Sequence, residues 1–304
     1  MKIGTLSETE LSRHLHGDGL RLRTGPFVVS LRSPIADLAA RLAVLYSEFP
    51  VAEPDGFADF HVSVRLASGP RRLIKPQAIF DFDGFHPFNP LPGDQAFAML
   101  EWGLNWCVYT HAHEFLIIHG ASLERDGKAV LLPAPSGSGK STLCAALTQR
   151  GWRLMSDELI LIERESGTVR ALARPISLKN ASIAVMRRYA PDAVITEPVH
   201  DTAKGSVAHM RATQDSIVRM DEPATPHWVI VPRYRADADT HVEPMSKAAL
   251  FMTLVDNAFN YSLLREQGFS CMAGLTDACS GYRIEYGSLD EAIAALDRLV
   301  EHGT

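Results

Sequence analysis

A glycine-rich segment carries the strongest chemical signal in this 304-residue chain. Residues 134–141 read Ala-Pro-Ser-Gly-Ser-Gly-Lys-Ser, which matches the phosphate-binding loop pattern except for an alanine at the first glycine position. An alanine fits there if the backbone φ stays negative. The segment follows an apolar stretch and precedes a helical pattern, so backbone N–H groups and the helix dipole can surround phosphate oxygens. The motif predicts nucleotide binding, but it does not specify a reaction.

The polar groups of this loop have expected partners in a bound nucleotide. The Lys140 ammonium reaches the β- and γ-phosphates, and the Ser141 hydroxyl is a ligand for Mg²⁺. We therefore predict ATP and Mg²⁺ as the bound cofactors. The predicted nucleotide-binding residues are Pro135, Ser136, Gly137, Ser138, Gly139, Lys140, Ser141 and Thr142.

An acidic pair follows the loop at short range. Asp157 and Glu158 come directly after a short predicted strand at 153–155. A carboxylate at this position can ligate Mg²⁺ or accept the proton of an attacking hydroxyl, as phosphoryl transfer requires. We predict Asp157 as a metal ligand beside Ser141, and either carboxylate as the base, with Asp157 the first choice. A pair of surface carboxylates at a strand end is the alternative.

Three segments in this order resemble the catalytic core of the HPr serine kinase/phosphorylase superfamily. They are Ile-His-Gly-Ala at 118–121, the loop at 134–142, and Arg-Gly-Trp-Arg-Leu-Met-Ser-Asp-Glu at 150–158. The resemblance implies an active-site histidine at His119, and one carboxylate of the acidic pair that deprotonates a substrate serine. It also implies an α/β P-loop core of the HPr-kinase and phosphoenolpyruvate-carboxykinase type, and a homo-oligomer.

Departures from that family place the chain in a divergent, HPr-kinase-related (kinase A-like) branch. Glu158 stands where the family has a second aspartate, and the family's Glu-x-Arg-Gly signature is missing. The Pro-Gly-Arg-Asn loop associated with phosphorolysis is also missing, and residues 244–247 read Pro-Met-Ser-Lys. These differences argue against the reverse, dephosphorylating reaction.

A basic segment at 204–211, Lys-Gly-Ser-Val-Ala-His-Met-Arg, has two interpretations. It can be a mobile loop that closes on the phosphates, with Arg211 supplying positive charge to the transition state. It can equally be a solvated basic loop.

Taken together, the motifs and the resemblance predict an ATP-dependent kinase that phosphorylates a serine of a protein or peptide. A nucleotide-switched ATPase without a phosphorylated acceptor and a small-molecule kinase are the alternatives. The net charge of −6 and the pI near 6.1 argue against nucleic acid or an anionic membrane as a partner. The start of the chain lacks a signal-peptide pattern, and four cysteines without a regular framework predict a cytoplasmic protein with reduced thiols.

Hydrophobic periodicity and chain breakers predict an α/β protein of two parts. Proline, glycine and asparagine between 87 and 93 indicate a boundary, so we predict a small α/β module at 1–91 and a catalytic domain at 92–304. The predicted helices lie at 8–16, 34–46, 94–111, 141–149, 246–261 and 289–301. The predicted strands lie at 27–31, 60–66, 77–83, 115–119, 121–124, 129–132, 153–155 and 222–232.

Overall fold

The computed structural model describes residues 1–53, 55–69, 74–135 and 137–302. These residues form an α/β structure with three sheets, which confirms the α/β part of the predicted fold class. The core of the HPr-kinase and phosphoenolpyruvate-carboxykinase type stays a prediction. Among them, no helix combines the length and the apolar character that crossing a bilayer requires.

The first sheet contains five strands in their chain order. They are β1 (Leu20–Thr24), β2 (Phe27–Arg32), β3 (Phe60–Leu66), β4 (Gln77–Phe82) and β5 (Leu91–Pro92). Neighbours are antiparallel except β2 and β3, which are parallel and are connected by helix α2 (Ala36–Leu45). Helix α1 (Glu8–His16) begins at a capping box formed by Ser7 and Glu10, and it packs on α2.

Helix α3 (Ala96–His111) covers this first sheet and packs against α2, β3 and β4. Gly103 allows the close approach, because a Cβ there would lie 2.1 Å from the Phe80 ring. The helix also carries a buried carboxylate, that of Glu101.

The rest of the chain supplies a large mixed sheet and a small antiparallel one. In chain order the strands are β6 (Phe115–Arg125), β7 (Lys128–Pro133), β8 (Arg153–Ser156), β9 (Leu159–Glu163), β10 (Val169–Arg170), β11 (Ile176–Lys179), β12 (Val199–Thr202), β13 (Gly205–Met210), β14 (Thr225–Tyr234), β15 (His241–Pro244) and β16 (Ser280–Tyr286). The large sheet has the order β10-β9-β6-β7-β14-β16-β15, with β8 also paired to β6, and the small sheet has the order β11-β13-β12. Strand β14 is parallel to both of its neighbours, β7 and β16.

Within the described residues, five helices connect these strands and a sixth follows the last one. They are α4 (Lys140–Thr148), α5 (Ala181–Tyr189), α6 (Gln214–Val218), α7 (Lys247–Asp256), α8 (Tyr261–Ala278) and α9 (Leu289–His302). Helix α4 packs on β6, β8 and β11, so the helix that follows the glycine-rich loop is fixed to both sheets.

Most predicted elements are confirmed, and two predictions of where an element ends are wrong. The strands predicted at 115–119 and 121–124 form one strand, β6, because Gly120 pairs with Pro133 of β7 and so continues the strand. A Cβ on Gly120 would lie 2.6 Å from the Ile160 side chain. The helix predicted at 246–261 ends at Asp256. The Asn260 side chain instead accepts a hydrogen bond from the Ile117 N–H and donates one to the Phe115 carbonyl, which fixes this turn to β6.

The two-part division at residues 91 and 92 stays a prediction. The first sheet ends at Pro92 and the second begins at Phe115. Helix α3, which follows the predicted boundary in the chain, packs on the first sheet.

Candidate active site

The glycine-rich loop connects β7 to α4. Gly137 and Gly139 have φ values of 88° and 90°, in the left-handed region that glycine adopts without strain. A Cβ on Gly139 would lie 2.6 Å from the Tyr286 hydroxyl oxygen and 2.7 Å from Cβ of Tyr234. A larger residue therefore cannot replace Gly139 without moving the loop. Ser136, one of the predicted nucleotide-binding residues, lies outside the described residues.

Two tyrosines at the ends of parallel strands anchor this loop. The Tyr286 hydroxyl donates to the Gly139 carbonyl at 3.2 Å, and the Tyr234 N–H donates to the Ser138 carbonyl at 2.9 Å. No motif in the sequence indicated them. The signal that could have indicated them is their position at the carboxyl ends of two strands, β14, which pairs with β7, and β16, which pairs with β14.

Lys140 and His119 lie in contact at the first turn of α4. The Lys140 side chain is buried, and its Nζ lies 3.1 Å from Nε2 of His119. His119 comes from β6, where its N–H donates to the Asn257 carbonyl at 2.7 Å. The predicted active-site histidine and the predicted phosphate lysine are thus neighbours in space.

The acidic pair lies between β8 and β9, and its two side chains have different hydrogen-bond partners. Glu158 Oε1 accepts a hydrogen bond from Lys179 Nζ at 3.2 Å, and Oε2 lies 3.8 Å from Nδ1 of His119. The Asp157 side chain is buried, and its Oδ2 accepts a hydrogen bond from the Ser177 N–H at 3.1 Å. A chain of charged and polar contacts therefore runs from Lys140 through His119 and Glu158 to Lys179.

Burial and neighbouring charges give these groups different pKa values. Burial, and then the charge of Glu158, raises the pKa of Asp157. Burial alone would also raise the pKa of Glu158, but the ammonium groups of Lys179 and Lys140 lower that pKa overall. Burial, and then Lys140, lowers the pKa of His119 to about 4. At neutral pH Glu158 is therefore ionised and His119 is neutral.

A cavity of about 680 Å³ opens in front of this chain of contacts. Its size is within the usual range for small-molecule sites. It is lined by the predicted residues His119, Pro135, Gly137, Ser138, Gly139, Lys140, Ser141, Thr142 and Glu158. Two further lysines, Lys179 and Lys204, line it as well. Besides Glu158, the acid that lines the cavity is Asp290, which forms an ion pair with Arg150 at 2.7 Å, so the cavity has an excess of positive charge.

Arg211 is not among the residues that line this cavity within the described part of the chain. Most of the segment predicted as a mobile or solvated loop is strand β13, which pairs with β11 and β12. Arg211 follows that strand, and its guanidinium donates to the Ser47 hydroxyl at 3.4 Å, in the N-terminal part. Lys204, at the turn between β12 and β13, is the cation of this segment that reaches the cavity.

The residues around the cavity fit a nucleoside triphosphate. The positive φ values at Gly137 and Gly139 open the loop backbone, and three lysines converge in front of it. For the metal, Ser141 lines the cavity, whereas Asp157 lies behind it with Oδ1 buried and without a hydrogen-bond partner among the described residues. In the described part of the chain, no three histidine, cysteine or acidic side chains form a metal-binding group. A cation here would therefore take much of its coordination from phosphate oxygens and water.

Comparisons with known proteins find distant similarities. The family model described as SynChlorMet cassette protein ScmC matches residues 92–198, a range that contains His119, Lys140 and Asp157. A search of the curated proteins finds no match. One similar solved structure is the HPr(Ser) kinase/phosphatase from Coxiella burnetii, with a TM-score of 0.26 and 15% identity, over 61% of this chain and 98% of that chain.

Proposed function

We propose that this protein is an ATP-dependent kinase that transfers the γ-phosphoryl group to a serine hydroxyl of a protein or peptide. The core would be of the HPr-kinase and phosphoenolpyruvate-carboxykinase type. One observation carries the proposal: a glycine-dependent loop, three lysines and the Glu158 carboxylate meet at a single cavity, with Asp157 directly behind Glu158.

The binding role belongs to the loop and the lysines. The backbone N–H groups of 137–142 and the N-terminus of α4 hold the phosphates. Lys140, Lys179 and Lys204 neutralise negative charge, which is the main contribution that a protein makes to phosphoryl transfer. Ser141 and Asp157 are the protein ligands that we propose for Mg²⁺, which would supply positive charge against the negative charge that develops in transfer.

The proton of the attacking hydroxyl would pass to the acidic pair. Glu158 faces the cavity, so it would take the proton from the acceptor hydroxyl, and Asp157, directly behind it, has the raised pKa with which it would take that proton on from Glu158 at neutral pH. His119 is neutral and lies between Lys140 and Glu158, so it fixes the position of both side chains.

The serine-bearing protein or peptide as acceptor rests on the resemblance to HPr kinases. The cytoplasmic location, the homo-oligomer and the lack of phosphorolysis are part of the same proposal. An ATPase without an acceptor and a small-molecule kinase would use the same lysines and the same acidic pair, so the labelled product must decide among the three.

The test is to incubate the protein with γ-labelled ATP and candidate serine-bearing proteins and peptides. Lys140→Ala, Asp157→Asn and Glu158→Gln are assayed beside the native chain, and mass spectrometry locates the phosphate. We expect label on serine with the native protein, and a loss of about 100-fold or more in the Lys140→Ala variant.

Each other result has a defined meaning. Phosphate release without a labelled acceptor would replace the kinase by an ATPase, and label on a small molecule would replace the protein acceptor. Unchanged nucleotide binding and turnover in Lys140→Ala would overturn the assignment of this cavity altogether. A Glu124→Gln variant controls for general loss of folding, because Glu124 is buried and does not line the cavity.

A further inference from the structure

A small polar chamber lies directly behind the acidic pair. Its volume is about 20 Å³, and Glu158 and Ser177 line both this chamber and the larger cavity. Asp157 lines the chamber. One of its carboxylate oxygens accepts the hydrogen bond from Ser177, and the other, Oδ1, is buried without a hydrogen-bond partner among the described residues. The chamber is therefore in contact with the carboxylate that the proposed transfer uses.

A buried arginine forms another part of the chamber wall. Arg174 is 7% exposed, donates a hydrogen bond to the Asn105 side chain, and has its Nη1 3.4 Å from Oε2 of Glu101. This Nη1 makes no hydrogen bond within the described part of the structure, and neither does Nε2 of His209, which lines the same chamber. Buried polar atoms are nearly always hydrogen-bonded, so several atoms without a hydrogen-bond partner around one chamber require an explanation.

The arginine is held in turn from the N-terminal part of the chain. Tyr46, directly after α2, donates a hydrogen bond to Oε1 of Glu101 at 2.5 Å, and both side chains are buried. Glu101 lies on α3, between Tyr46 and Arg174. A continuous set of contacts thus connects a helix beside the first sheet to the chamber behind Asp157.

The chamber has the size and the polarity that a single water molecule needs. About 10–15 Å³ suffices for one water with two to four polar partners. Arg174 Nη1 can donate to such a water, and Asp157 Oδ1 can accept from it. The Ser177 hydroxyl and the His209 ring supply further partners, since both carry a buried atom without a hydrogen bond among the described residues.

We propose that Tyr46, Glu101 and Arg174 are positioning residues for the phosphoryl transfer. They hold the carboxylate of Asp157, through one ordered water in the chamber, in the orientation that the proposed transfer requires. The N-terminal part of the chain thereby completes the active site. This proposal rests on the proposed function for its catalytic consequence, whereas the physical connection between Tyr46 and Asp157 does not depend on it.

The first experiment separates turnover from binding and from stability. Tyr46→Phe removes one hydroxyl, and Arg174→Lys keeps the charge but loses the planar fork. Glu124→Gln is the matched control, because Glu124 forms a buried ion pair with Arg153 that borders neither the cavity nor the chamber. For each variant we would measure the single-turnover rate at which labelled ATP loses its γ-phosphoryl group in the presence of the serine-bearing acceptor, the affinity for a non-hydrolysable ATP analogue, and Tm.

We expect the rate of γ-phosphoryl transfer to fall about tenfold in Tyr46→Phe and further in Arg174→Lys, because small displacements of a reacting group cost large factors in rate. Affinity for the analogue should stay within about twofold, since the phosphate loop is untouched. The control should lose Tm but keep its rate per folded molecule. Rates in Tyr46→Phe and Arg174→Lys equal to that of the control would overturn the proposal, because a purely structural ion pair predicts that result.

The second experiment does not need any activity. In a double-mutant cycle, Tyr46→Phe is combined with Asp157→Asn and the Tm of all four proteins is measured. If the contacts form one unit, Tyr46→Phe lowers Tm by about 2–4 °C in the native background and by less than half of that in the Asp157→Asn background. Additive Tm changes would show that the two groups are independent and would overturn the positioning role. Should the native protein show no turnover, the proposed kinase fails, while this cycle still decides whether the connection exists.

Discussion

The acidic pair separates two polar spaces that are built in opposite ways. The cavity in front is open and large, and its three lysines outnumber the acids that balance them. The chamber behind is small and buried, and its arginine is matched by Glu101. The cavity's charge is available to an anionic ligand, whereas the chamber's charge is used within the protein.

This difference distinguishes the side chains that are available to bind a ligand from the side chains that fix the position of other groups of the protein. Lys179 at a strand end is partly exposed and Lys204 at a turn is exposed, so both can move toward a ligand at low cost. Buried ionic groups are expensive to desolvate and are strongly destabilising when one partner is lost. A protein that keeps such a pair directly behind a reactive carboxylate gains a fixed orientation there. The following predictions test this contrast.

The largest expected effect is on stability when the chamber loses its acid. Glu101→Ala leaves Arg174 buried without a counter-charge and removes the acceptor of the Tyr46 hydroxyl. We expect a loss of about 3–5 kcal/mol in the free energy of unfolding, measured by urea denaturation. Glu158→Ala is the matched change on the cavity side. Its lysine partner remains partly exposed, so the loss should be about 1 kcal/mol.

Equal losses in the two variants would contradict the contrast between the two spaces. Glu101→Gln refines the result, because the amide still accepts the Tyr46 hydrogen bond but carries no charge. A stability between those of the native chain and Glu101→Ala would assign the remainder of the loss to the ion pair with Arg174.

A smaller effect is expected on binding when the cavity loses one cation. Lys204 is exposed and its Nζ lies 5.3 Å from the centre of the Trp102 ring. We expect Lys204→Met to weaken the affinity for a non-hydrolysable ATP analogue about tenfold at low salt, and less at high salt because exposed charges are screened. Titration calorimetry at two salt concentrations measures both values.

Lys128 offers a close control for that substitution. It is also exposed, and its Nζ lies 5.7 Å from the centre of the Trp228 ring, but it does not line the cavity. Lys128→Met should therefore leave the affinity unchanged. A similar loss of affinity in both variants would show that net charge, and not the position of Lys204, controls binding.

The cavity could be predicted from the sequence and the chamber could not, for a physical reason. The loop and the acidic pair are contiguous motifs, and a strand followed by a helix places them in a defined relation. The chamber depends on Tyr46, Glu101 and Arg174, which carry no motif and meet only after the first sheet, α3 and β11 have packed. Arg211 shows the reverse case, because its charge suggested a role that the pairing of β13 with β11 does not support.

The smallest expected effect concerns pH, and it compares a histidine from each space. Burial, and then Arg41, lowers the pKa of His209 to about 3, with Lys179 and Arg174 acting in the same direction and Glu158 opposing them. Burial, and then Lys140, lowers the pKa of His119 to about 4. Because both folded-state values lie below the ordinary value of 6.5, the unfolded chain binds more protons between pH 4 and 6.5. Each neutral histidine therefore contributes stability that is present above pH 6.5 and is lost as the pH falls.

Replacing His209 should thus flatten the dependence of stability on pH. We expect the difference in free energy of unfolding between pH 7 and pH 5 to shrink by about 1 kcal/mol in His209→Gln, measured by urea denaturation at both values. The change should be smaller in His119→Gln, because the His119 side chain is 29% exposed while His209 is buried. His16→Gln, at an exposed position, serves as the control. An equal slope in His209→Gln and in the control would mean that the folded protein accommodates a protonated His209, and that burial does not keep this histidine neutral.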